Sequence, residues 1–104
     1  MTRDLALDYE IRGTTAEPAL NGDLDMAAAF KLEPAIEQVV AKNDVQELVL
    51  DLEGVEFIDS AGLGSLLSTH DRLSSLGIKS KITKPSEAVE RVLDATGTRG
   101  VLIS

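Results

Sequence analysis

Cysteine is absent from this 104-residue chain, which excludes disulfides and thiolate metal sites. No apolar run reaches the roughly 18 residues that a membrane helix needs, and the start, Met1-Thr2-Arg3-Asp4, has no signal-like apolar stretch. A soluble cytoplasmic protein is therefore expected. Positive charge is also scarce: 10 Lys and Arg stand against 18 Asp and Glu, a formal charge of −8. That balance opposes nonspecific attraction to nucleic acid or anionic lipid, so direct nucleic-acid binding and membrane insertion are not expected. Histidine occurs once, at His70, and no Ser/His/Asp set, metal-ligand cluster or cofactor loop can be assembled at suitable spacing. No catalysis, cofactor or metal is expected. Linkers, repeats and low-complexity tracts are missing as well. With 43% hydrophobic and 27% charged residues, the chain reads as one domain over 1–104, able to bury roughly two thirds of its unfolded surface.

What is present is an alternation of strand and helix patterns. Leu5, Leu7, Tyr9 and Ile11 alternate with Asp8, Glu10 and Arg12, a strand with one wet face. Residues 15–20 read as a weaker strand, at an edge or bulge, because Pro18 has no amide to donate. Met26 to Lys42 carries Leu32, Ile36, Val39 and Val40 on one helical face; Pro34 inside it predicts a kink or a restart, since an unrelieved interior proline costs ~3 kcal/mol. Val45, Leu48, Val49, Leu50 and Leu52 suggest a strand buried on both faces. Leu63, Leu66, Leu67, His70, Leu73 and Leu76 recur at helical spacing up to Gly77, which assigns His70 to packing. A short strand over 78–82, a helix capped by Ser86 and bearing Val89, Val92 and Leu93, and a last strand over 101–103 complete the pattern. Short connections between such units imply right-handed crossovers, hence an α/β domain with a mostly parallel sheet and an antiparallel first strand. Helices that cross between neighbouring strands lie on one face, leaving the other in need of cover.

The most informative stretch is Phe57-Ile58-Asp59-Ser60-Ala61-Gly62-Leu63-Gly64, a strand end passing through a turn into a helix. Asp59 and Ser60 fall where N-cap residues belong. Gly62 and Gly64 keep the surface low, so a protein partner can approach Ser60 closely. Neither glycine belongs to the spacing of a dinucleotide-binding or P-loop motif.

These residues resemble the signature of the anti-sigma factor antagonists, members of the STAS domain family. Gly22-Asp23-Leu24-Asp25 is similar to that family's Gly-Glu-Leu-Asp motif, and the helix from Ser86 to Leu93 with its turn at Gly97 resembles the family's third helix. The resemblance implies the STAS fold, a mixed, mostly parallel sheet of four to five strands with helices mainly on one face. It implies phosphorylation of Ser60 by an anti-sigma factor that is also a serine-protein kinase, and removal of the group by a PP2C-type phosphatase. The unphosphorylated form would bind the anti-sigma factor and free the sigma factor, with Asp25, Asp59, Ala61, Gly62, Leu63 and Gly64 as partner-binding positions. Family members commonly carry a further C-terminal helix. The sequence stops at Ser104 without one, so a partner, a second copy in a homodimer or further chain is expected over the exposed sheet face.

Blander readings stand beside these. A serine before a helix is ordinarily a cap, and only the surrounding motif favours a switch; Asp25 is equally a cap or a contact for the kinase and its nucleotide. A receiver-type phosphotransfer domain would use Asp23, Asp25 and Asp51 around magnesium with Lys84 as phosphate partner, but the acids are wrongly placed and the strand-helix units too few. STAS domains also serve as accessory or scaffold parts of transporters and stress-signalling complexes. The lack of a membrane span and the retained Asp59-Ser60-Ala61-Gly62-Leu63 context lean against that role.

Overall fold

The computed structural model describes residues 4–103. Strand β1 (Ala6–Arg12) turns through Gly13, whose φ of +62° suits glycine, and pairs antiparallel with β2 (Thr15–Leu24). Helix α1 (Met26–Asn43) crosses to β3 (Glu47–Ile58), which lies parallel to β2. Helix α2 (Ser60–Ser75) crosses to β4 (Lys79–Thr83), parallel to β3, and the sheet order is β1-β2-β3-β4. Helices α3 (Glu87–Thr96) and α4 (Arg99–Leu102) follow.

One continuous core lies between the sheet and the helices. Ala16, Leu20 and Leu24 from β2 and Leu48, Leu50 and Leu52 from β3 meet side chains such as Leu32, Ile36, Leu66 and Leu73 from α1 and α2. Val89 and Leu93 of α3 and Leu102 of α4 join the same cluster. This is the mixed α/β architecture that the strand and helix patterns predict.

Four details depart from the sequence expectations. Burial in β3 alternates: Leu48, Leu50 and Leu52 are buried, but Glu47, Val49 and Asp51 are only half-buried. A single helical layer covers one face, so the strand is not buried on both. The open face carries Asp8, Glu10, Glu17, Asp51 and Thr83, polar residues that water can solvate, beside Tyr9, Ala19 and Val49. Secondly, β2 is a central strand, not an edge. Its pairing with β3 uses Thr15, Ala16 and Ala19, keeps one register across Pro18, and shifts register only afterwards, between Ala19 and Asn21.

Thirdly, of the kink or restart expected at Pro34 the restart does not occur: α1 is one helix through Pro34, which lies on its exposed side. Fourthly, the expected strand over 101–103 is instead the end of a short helix. Gly97 ends α3 in the left-handed region, Leu102 N–H donates to the Thr98 carbonyl at 3.2 Å, and Ile103 N–H donates to the Arg99 carbonyl at 2.8 Å. An apolar run of three cannot by itself distinguish strand from helical turn. Local bonds and the burial of Leu102 against α2 and β4 decide it.

Candidate functional site

The parallel pairing of β2 and β3 ends at the row Leu24–Ile58, and each strand then enters a helix. Asp25 caps α1, its Oδ1 accepting from Ala28 N–H at 3.0 Å; Asp59 caps α2, accepting from Gly62 N–H at 2.8 Å. Two carboxylates thus stand at two positive helix ends, where dipole and unpaired amides favour negative charge.

The helices also run abreast. Ser68 Oγ donates to Glu33 Oε1 at 2.7 Å and Arg72 Nε donates to Glu37 Oε1 at 2.7 Å, each joining positions 35 apart. The hydrogen bond to Glu37 and its charge hold the Arg72 pKa above its ordinary value. Carried back to the N-termini, the same offset puts Asp25 level with Ser60. The two segments singled out in the sequence, around Asp25 and around Ser60, therefore meet at one end of the molecule.

Ser60 is the first residue of α2 and is exposed. Capping falls to Asp59, and among the described residues nothing holds the Ser60 hydroxyl. The bland account of Ser60 as a cap therefore fails. Asp25 does act as a cap, and being only half-buried it also faces the surface.

The remaining positions divide. Ala61 is half-buried and Gly64 exposed, with nothing within 4 Å of the place a Cβ would occupy. Gly62 and Leu63 instead point inward. A Cβ on Gly62 would sit 2.0 Å from the Leu24 carbonyl oxygen, and Leu63 belongs to the core at 7% exposure. Gly62 lets the first turn of α2 lie on the end of β2, which brings the two capped ends together. A lone glycine gives no sign of such an approach in the sequence.

Three large apolar residues near this end escaped sequence reasoning: Met26 is 62% exposed, Phe30 78% and Phe57 48%. Their signal was available, since Met26 and Phe30 lie off the buried stripe of Leu32, Ile36 and Val39.

His70 is not simply packed. Its Nδ1 lies 2.8 Å from Ser80 Oγ, a hydrogen bond that ties α2 to β4. The receiver-type cluster does not form: Asp51 pairs at the level of Ala19 and Thr83, about 16 Å along β2 from the Leu24 row, and its Oδ1 accepts from Glu53 N–H. Among the described residues no group of acids or His could hold a metal ion, and no helix is long and apolar enough to cross a membrane.

A mixed sheet with helices on one face and a serine exposed at a helix N-terminus defines a small α/β module with two helix ends at one surface. Comparison with known proteins makes this specific. The STAS domain model matches residues 7–102, and the chain belongs to that family. An anti-sigma F factor antagonist of Paenibacillus polymyxa is 26% identical over 78 residues, covering 75% of this chain and 67% of that protein. The anti-sigma-F factor antagonist RsfB of Mycobacterium tuberculosis is 42% identical over 55 residues, 53% of this chain and 44% of its own length. The crystal structure of an anti-sigma factor antagonist from Mycobacterium paratuberculosis superposes with a TM-score of 0.81 at 29% identity, covering 95% of this chain and 83% of that one.

Proposed function

We propose that this chain is a single-domain anti-sigma factor antagonist of the cytoplasm, switched by phosphorylation of Ser60. The observation that carries the reading is the exposed Ser60 hydroxyl at the start of α2, with the neighbouring Asp59 taking the cap. The partners are an anti-sigma factor that is also a serine-protein kinase and a PP2C-type phosphatase. Chemistry belongs to those partners, and the chain is a substrate and a binder. The names of its relatives, anti-sigma factor antagonists, support the same role.

The physical mechanism follows from position. Phosphorylation adds ~1.5 to 2 negative charges and three acceptor oxygens. At a helix N-terminus these meet the positive end of the dipole, so the fold tolerates them. A partner surface fitted to a neutral hydroxyl meets a dianion instead, between Asp25 and Asp59 on a protein of charge −8. Desolvating that charge at a cost of ~4 kcal/mol weakens binding ~1000-fold. Asp25, Asp59, Ala61 and Gly64 supply the contact face; Gly62 and Leu63 support it from below. Incubation with ATP and the partner kinase, followed by peptide mapping in a mass spectrometer, tests this reading. One phosphoryl group on Ser60 is expected, and labelling elsewhere with Ser60 untouched would refute it.

A further inference from the structure

The exposed apolar residues beside Ser60 belong to a pattern. On α1, Met26, Phe30, Glu33 and Glu37 follow the spacing of one helical stripe, and its lower half already lies along α2, through Glu33 to Ser68 and Glu37 to Arg72. The 35-residue offset of those pairs sets Met26 level with Ala61 and Phe30 level with Ser65, within about a turn and a half of Ser60. Yet Phe30 stays 78% exposed and Met26 62%, so neither side chain is used by the fold. Phe57, 48% exposed, lies two residues before the Asp59 cap. Its neighbour Ile58 is buried under the helices, so Phe57 points to the open face of the sheet and stands apart from the α1 pair. Met and aromatic side chains left exposed one helical turn apart, as Met26 and Phe30 are, are typical of the central anchors of protein interfaces.

Charge around them narrows what they fit. Asp25 directly precedes Met26, Glu33 lies one turn beyond Phe30 on the same stripe, and Asp59 caps the neighbouring helix end. The basic residue in the first part of α1, Lys31, turns away from α2 to line the groove against Leu5 and Leu7 of the first strand segment. A second copy of this chain would bring the same carboxylates face to face, with −8 on each molecule. The complementary occupant is an apolar pocket with a rim of Lys or Arg.

We propose that Met26 and Phe30 anchor the anti-sigma kinase, inserting into such a basic-rimmed apolar pocket while Ser60 lies at the edge of the contact. This rests on the functional reading above and deepens it. The apolar anchors hold the complex and select the partner, and Ser60 decides whether they can engage.

Titration calorimetry of the full chain against the purified kinase tests the proposal. Phe30→Ala is expected to weaken binding about 10-fold or more, Phe30→Leu to retain most of the affinity, and the wild-type Kd to rise with salt. Because Phe30 is exposed, Phe30→Ala keeps the wild-type melting temperature, which separates lost contact from lost fold. If Phe30→Ala and Met26→Ala bind like the wild type while Ser60→Asp does not bind, the anchor assignment is wrong and the switch stands. If the unphosphorylated wild type does not bind the kinase at all, the functional reading and the anchors fall together. A wild-type dimer in sedimentation that Phe30→Ala converts to monomer would assign the patch to a second copy and overturn the proposal.

Discussion

Two glycines near the start of α2, two residues apart, are predicted to respond to alanine with opposite sign. At Gly64 a Cβ meets nothing within 4 Å. The substitution there removes the backbone entropy that glycine loses in a helix, so Gly64→Ala stabilises by about 1 kcal/mol. Gly62→Ala gains the same propensity term but places its Cβ 2.0 Å from the Leu24 carbonyl oxygen and 3.0 Å from the Leu24 carbonyl carbon. Relief requires more than 1 Å of movement of backbone against backbone, with no flexible side chain to yield. An overpacking cost of about 3 kcal/mol outweighs the gain and leaves a net loss of about 2 kcal/mol. For a domain of this size that lowers Tm by roughly 8 to 16 °C, against a rise of roughly 4 to 8 °C for Gly64→Ala. Urea unfolding followed by circular dichroism measures both. Displacing α2 also separates Ser60 from Asp25, so Gly62→Ala phosphorylates more slowly. Equal midpoints for the two variants would refute the argument that Gly62 holds the helix end on β2.

Further outcomes follow from the same geometry. Asp59→Ala and Asp25→Ala each remove a side-chain cap and cost about 1 kcal/mol by urea unfolding, whereas Asp59→Asn retains the cap and stays close to the wild type. Ser60→Asp keeps the wild-type melting temperature within about 3 °C, because charge at this helix end suits the dipole, yet loses binding to the anti-sigma factor. The Arg99 hydrogen bond lowers the Asp94 pKa below its ordinary value, so the stability this carboxylate contributes is present above about pH 4 and is lost as pH falls through the folded-state value. The midpoint difference between wild type and Asp94→Asn should hold steady between neutrality and pH 5 and close in stronger acid; a gap that widens on acidification would reverse the sign.

Much of this was readable from residues because local and global preferences agree. Val45 to Leu52 shows itself as a strand and Leu63 to Leu73 states its helical period, and the turn between them places Ser60 where the structure has it. Other features needed the third dimension. Which of Gly62 and Gly64 lies against backbone depends on Leu24, a residue nearly forty positions away. The level pairing of Asp25 with Ser60 depends on contacts between α1 and α2. Val101 to Ile103 is too short for a period, and its helical form comes from bonds to Thr98 and Arg99. The one-sided burial of β3 is set by the number of helical layers, not by its own composition. Met26 and Phe30 are different, since their position off the apolar stripe was visible and its meaning lay in their neighbours.

The central claim is that charge on Ser60, without rearrangement of the fold, decides whether the anti-sigma factor binds. The most direct measurement is the Kd of that partner for the unmodified chain and for the chain phosphorylated at Ser60, with amide NMR spectra of both. A ~1000-fold loss of affinity with spectral changes confined to the ends of α1 and α2 is predicted. Equal affinities, or a loss accompanied by changes throughout the sheet, would contradict it.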